Sequence, residues 1–222
     1  MRTRKSSFSN KSFIASHPLI TLFMMIAVTL SLYATLTSAN KTDEPLVLEN
    51  NLIKETMMTQ PEKLIDFIEG ILVDISEQKL YLYNNGQLIK QYPISTSKYG
   101  IGNTAGSNKT PLGRHRIKTK IGDDAPKYSI FIGRKDSGKL ANMNEGRDDL
   151  VTSRIMWLEG LEAGKNSGKG IDSYQRYIYI HGTAEEDAIG TPASHGCIRM
   201  YNEDVIDLYP RVDEGTLVTI QE

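Results

Sequence analysis

Cys197 is the one cysteine of this 222-residue chain. It stands in the run Ser194-His195-Gly196-Cys197-Ile198-Arg199-Met200, with a second histidine, His181, upstream. A single thiol cannot close an intrachain disulfide, but beside two imidazoles it can serve as a nucleophile. Sulfur attacks as the thiolate, and a neighbouring imidazolium lowers the thiol pKa enough to hold that form near neutral pH. The base precedes the nucleophile here, unlike the order in papain-like enzymes. The plainer reading of a free cysteine is a small buried hydrophobe. That reading suits an apolar strand run, whereas this thiol follows glycine and histidine. His115, His181, His195 and Cys197 are also potential metal ligands, but neither C-x-x-C nor H-x-x-x-H spacing occurs. No metal and no cofactor is expected.

These residues need elements to hold them. Tyr177-Ile178-Tyr179-Ile180 predicts a strand with His181-Gly182-Thr183 at its end, a place where rigid scaffolds often present reactive groups. Gly190-Thr191-Pro192-Ala193 predicts a turn, and Glu203 to Tyr209 a helix capped by Asn202, with Cys197 just before it. Gly196 lets backbone approach a substrate closely, and the N–H groups of Gly196 and Cys197 are the expected donors to a developing oxyanion.

Around this core the chain reads as short strands: Ile71 to Ile75, Lys79 to Tyr83, Gln87 to Ile94, Gly113 to Ile121, Tyr128 to Ile132, Arg154 to Leu158 and Leu217 to Ile220. Asn84-Asn85-Gly86 is a hairpin turn signal. Many strands with one or two short helices predict a mainly β domain, a sandwich or a barrel. Trp157 reads as a core residue of it. Gly133 to Ser173 is polar and glycine-rich, either a lid or an inert insertion, with Gly164 to Gly170 as a flexible tip.

The remaining segments bound location and partners. Arg2, Arg4, Lys5 and Lys11 precede an apolar run from Leu19, and Thr37-Ser38-Ala39 offers a cleavage site. Residues 1–39 therefore read as an export signal, or as an inner-membrane anchor if uncleaved, and the destination as the periplasm or cell wall. Residues 40–69 read as a linker with a short helix, and 70–222 as the domain. Without 1–39 and its four basic groups, 22 of the 26 Lys and Arg face 27 Asp and Glu, a net charge of −5. That balance speaks against a nucleic-acid partner. The stretch 109–139 is locally basic, which predicts either a wall that attracts an acidic substrate or an ordinary solvated face.

His181-Gly182-Thr183 followed by Ala193-Ser194-His195-Gly196-Cys197-Ile198-Arg199-Met200 resembles the signature of the YkuD-like L,D-transpeptidases. Thr110-Pro111-Leu112-Gly113 and the hairpin at Val73 to Tyr83 resemble further parts of that family, so the likeness spans about residues 70–221. It implies a YkuD-like β-sandwich with Cys197 as nucleophile and His181 as general base, oriented by a backbone carbonyl. Ser194, His195, Gly182, Thr183 and Gly196 would shape the pocket. Arg199 would bind substrate carboxylates or brace the site. The implied substrates are peptidoglycan tetrapeptide stems, and the acceptor is a second stem or a protein lysine. With water as acceptor the same residues make an L,D-carboxypeptidase. A non-catalytic wall-binding module is the remaining alternative, in which the thiol or the base would be expected to be lost.

Overall fold

The computed structural model describes residues 69–142 and 149–222. The signal or anchor reading of 1–39 and the linker helix fall outside them. Ten strands are described: β1 (Glu69–Asp74), β2 (Lys79–Asn84), β3 (Gln87–Ser95), β4 (Gly113–Ile121), β5 (Ser129–Ile132), β6 (Lys135–Leu140), β7 (Val151–Gly160), β8 (Tyr179–Thr183), β9 (Ile198–Met200) and β10 (Leu217–Gln221). One α-helix, α1 (Asn202–Leu208), follows β9, and a 3-10 turn at Tyr209–Arg211 extends it.

The strands join in the order β4-β10-β1-β2-β3-β9-β8-β7-β5-β6, and β4 also pairs with β7. Eight strands thus form a closed circuit, while the β5–β6 hairpin extends from β7. The two faces expected of a sandwich are hydrogen-bonded into one ring.

Period-two alternation explains which side fills the ring. Ile71 and Val73, Leu80 and Leu82, Tyr92 and Ile94, Ile117, Met156 and Leu158, Ile180, Ile198 and Met200, Val218 and Ile220 form one buried cluster. Val205 and Leu208 of α1 pack into the same cluster. The residues between them face outward. On β7 and β8 that outer face carries a second cluster of Ile155, Trp157, Tyr179 and Phe131, against which Cys197 packs. Trp157 is buried, but in this outer cluster rather than the main core.

The Asn85-Gly86 turn has both residues at positive φ, 49° and 75°, as a type I′ hairpin requires. Other expectations are corrected. The stretch from Gly133 to Ser173, where the sequence predicts a strand only over Arg154 to Leu158, also contains β6, and the predicted strand extends over Val151–Gly160 as β7. Its flexible tip is tied down by Asn166, whose amide donates to Leu112 O at 3.1 Å and Arg114 O at 3.0 Å and accepts from Glu162 N at 2.9 Å. Asn202 lies inside α1, and Tyr201 occupies the cap position with no side-chain bond. The basic stretch is not one wall. Arg116 and Lys118 pair with Glu159, and Lys127 pairs with Glu203.

Candidate active site

His181 lies within β8 rather than beyond its end, and β9, a strand not foreseen from sequence, runs parallel beside it. Ile180 pairs with Ile198, His181 with Arg199 and Gly182 with Met200. Because strand side chains alternate, this register puts Tyr179, His181 and Thr183 on one face with Cys197 and Arg199. Thiol and imidazole are therefore diagonal neighbours on the outer face, set by backbone pairing. On the other side of β8, the register with β7 shifts between Thr152 and Ile155. The bulge places Ser153 at φ 62°, a left-handed conformation that costs a non-glycine residue free energy.

Asn202 locks this bulge. Its Oδ1 accepts from Thr152 Oγ1 and Ser153 Oγ, each at 2.6 Å. Its Nδ2 donates to Thr183 O at 2.7 Å and Glu186 Oε1 at 2.8 Å. A Cβ on Gly182 would come within 2.6 Å of Asn202 Oδ1 and 2.8 Å of Thr152 O. Gly182 is thus required by packing beneath the site. Thr183 is fully buried and its hydroxyl accepts from Glu185 N at 3.1 Å. Both residues, expected to shape the pocket, build its foundation instead.

Ser194 is likewise buried, with its Oγ donating to Cys197 O at 2.6 Å and accepting from Gly196 N at 3.2 Å. That second bond occupies one of the two expected oxyanion donors in this state. Gly196 adopts φ 122°, accessible essentially to glycine. Its carbonyl accepts from Thr110 Oγ1 at 3.1 Å, which ties the cysteine loop to the T-P-x-G turn.

The His181 ring hydrogen-bonds Gly182 O at 2.7 Å through Nδ1. A carbonyl only accepts, so Nδ1 carries the proton and Nε2 keeps its lone pair. Burial pushes the imidazole down to about 4, with Arg199 in the same direction and Gly182 O and Asp149 opposing. Burial likewise pushes the Cys197 thiol up to about 12, and Asp149 adds to the rise. A Tyr179 N–H, Arg199 and Arg176 pull the other way. Both shifts favour the neutral thiol and the neutral imidazole in this unliganded state. In this state Sγ donates to Tyr177 O at 3.3 Å. Tyr177 itself sits at φ 59° and is 52% exposed.

Arg199 is 1% exposed and bridges Asp149 Oδ1 at 2.5 Å and Glu185 Oε2 at 2.6 Å. Its charge is neutralised by two carboxylates, so the brace describes it and direct substrate contact does not. Asp149 also accepts from His195 Nδ1 at 2.6 Å. Burial alone would raise the Asp149 carboxyl, but Arg199, His181 and its hydrogen bonds hold it below the usual range. Neither Asp149 nor Glu185 was singled out from sequence, since an isolated acid carries no periodic signal. Replacing Arg199 with Met should cost about 3 kcal/mol of stability, because two carboxylates lose their shared cation. Urea denaturation measures this, and a midpoint unchanged from wild type would show that the brace is idle.

His195 is exposed, with its ring 5.6 Å from that of Tyr99. It lines a cleft of about 390 Å³ together with Asn108, Asp172, Arg176 and Tyr177. His115, the other histidine weighed as a ligand, has both ring nitrogens engaged, with Gly113 O at 2.9 Å and Ser173 Oγ at 3.0 Å.

A carbonyl-oriented histidine on β8 and a cysteine immediately before the parallel β9, braced by a buried arginine, define a candidate thiol acyl-transfer site on a closed β scaffold. The chain belongs to the YkuD family of L,D-transpeptidase catalytic domains, whose sequence profile matches residues 69–220. A putative L,D-transpeptidase YkuD of Bacillus licheniformis is 51% identical over 150 residues, 68% of this chain and 64% of the relative. The probable L,D-transpeptidase YcfS of Escherichia coli K12 is 28% identical over 164 residues, 68% of this chain and 43% of its own length. The chain spans about half the length of several curated relatives it matches. Among solved structures, an Enterococcus faecium L,D-transpeptidase aligns at 19% identity and TM-score 0.43, over 69% of this chain and 50% of that one.

Proposed function

We propose that this domain is a peptidoglycan L,D-transpeptidase working through a thioester on Cys197. The observation that carries the reading is the parallel register that puts Cys197 and the carbonyl-oriented His181 on one face of β8 and β9. As sulfur attacks the carbonyl of the third residue of a tetrapeptide stem, the thiol proton passes to His181 Nε2. Starting from a neutral pair keeps charge out of the buried site until substrate excludes water. Collapse of the adduct breaks the C–N bond, and the imidazolium returns its proton to the departing D-alanine amine. The side-chain amine of a second stem, or of a protein lysine, then attacks the thioester while His181 takes its proton; the C–S bond breaks and the proton returns to the Cys197 sulfur. The Cys197 N–H is the remaining backbone donor for the oxyanion of each adduct. Arg199, Asp149 and Glu185 hold the strand pair and the His195 wall in place.

On this reading the domain works on the outer side of the cell membrane, where stems are found, in keeping with the basic and apolar start of the chain. The test is mass spectrometry of products formed from disaccharide-tetrapeptides by the protein. A dimer joined between two third-position residues is the expected product. Tripeptide and free D-alanine alone would reassign the domain as an L,D-carboxypeptidase, and unchanged substrate would leave a binding module.

A further inference from the structure

Arg176 lies one residue before Tyr177, whose backbone carbonyl accepts the hydrogen bond of the Cys197 thiol, and it lines the same cleft as His195. Its guanidinium is half-buried and held by two backbone carbonyls, Nη1 to Gly102 O at 3.2 Å and Nη2 to Lys109 O at 2.6 Å. No carboxylate lies within ion-pair distance of it among the described residues. The contrast with Arg199 is direct, since that arginine is neutralised twice. Carbonyls orient a guanidinium without cancelling its charge, and two of its five N–H donors are engaged, which leaves three. Burial disfavours the charged form, and a Cys197 thiolate would favour it, so the two groups sense one another. A cation desolvated in this way, aimed by a rigid loop and left without a counter-ion beside a cleft, is arranged for an anion that arrives from outside.

We infer that Arg176 is the subsite for a carboxylate of the donor stem, fixing the peptide in the cleft so that its third-residue carbonyl meets Cys197. This rests on the reading of the domain as an enzyme of tetrapeptide stems. Two carboxylates have the required chemistry: that of the terminal D-alanine and that of the second residue. Asp172, which also lines the cleft and accepts from Gln175 N at 2.9 Å, supplies a negative charge that discourages a second anion.

The experiment compares wild type, Arg176→Gln and Arg176→Lys on three synthetic stems: unmodified, amidated at the terminal carboxyl, and amidated at the second-residue carboxyl. Wild type should prefer the unmodified stem to one amidated form by about tenfold or more, which identifies the carboxylate. Arg176→Gln should erase that preference through KM, and Arg176→Lys should restore part of it. Arg176 helps to hold the Cys197 thiol pKa down, so iodoacetamide, an uncharged probe, should alkylate Cys197 in Arg176→Gln modestly more slowly. Equal losses on all three stems would overturn the subsite and make Arg176 a support of the loop or of the thiol. Binding of the three stems to Cys197→Ala, followed by calorimetry, separates this proposal from the catalytic one. Discrimination there with no turnover by wild type would sink the enzyme and keep the subsite. Turnover without discrimination would do the reverse. Should Arg176→Gln fail to fold, the comparison of Arg176→Lys with wild type on the same stems decides the matter: a weakened preference supports the subsite, and an unchanged one overturns it.

Discussion

Replacing Cys197 with alanine is expected to abolish both release of D-alanine and formation of the crosslinked dimer, a loss of at least about a thousandfold. No other thiol exists in the chain to substitute for it. The fold should persist, because Cys197 packs at the edge of the outer cluster and only its backbone ties to Ser194. Thermal unfolding of the variant should thus match wild type within a few degrees. Turnover in a folded Cys197→Ala protein would end the thioester mechanism, whatever its residual rate. A variant that lost its fold instead would show that the thiol contributes to packing more than its half-buried position indicates.

A second large effect concerns mild acid. His115 and His181 are both buried, and burial pushes each down to about 4. Glycine carbonyls and nearby acids, Glu162 for His115 and Asp149 for His181, oppose the shift without reversing it. In the unfolded chain each would titrate near 6.5, so between about pH 6.5 and 4 the unfolded state binds more protons than the folded one. Stability is then fully present above about pH 6.5 and falls as pH drops through that window. The slope is about 1.4 kcal/mol per pH unit for each histidine, and about 7 kcal/mol in total by pH 4. That is comparable with the whole stability of a small domain. Urea midpoints measured from about pH 8 to pH 4 would test it, with Asn in place of His115 expected to halve the slope. A flat profile down to about pH 5 would refute the account.

The site was legible in sequence where chemistry is local, and obscure where it depends on pairing across the fold. Cys197, His181 and the glycine between thiol and serine were readable because thiol, imidazole and positive-φ glycine are uncommon and fell close together. Most strands were readable because burial on one face imprints an alternation. β6 left no such imprint, since Lys135 to Leu140 buries no side chain. β9 is three residues long and has a buried arginine at its centre, so its pattern is too short and too polar to register. Asn202 looked like a helix cap because capping is the commonest use of asparagine before a helix. Its work in locking the β7 bulge requires Thr152, Ser153, Thr183 and Glu186, which no window of sequence brings together. Arg199 and Arg176 were indistinguishable as letters. Their difference lies wholly in which carboxylates the fold sets beside them.

The closed circuit of strands also sets an order of assembly. β10 pairs with β1 through Ile71 and Val218, and with β4 through His115. Its partners are therefore made long before it. Such distant pairings raise the entropy that must be lost before contacts repay it, and they make folding slow. Until the domain's final strand arrives, the ring has a gap between β1 and β4, and the barrel wall that backs β8 and β9 is incomplete. Cys197 and His181 are thus synthesised before β10, and the wall behind them closes only once it docks.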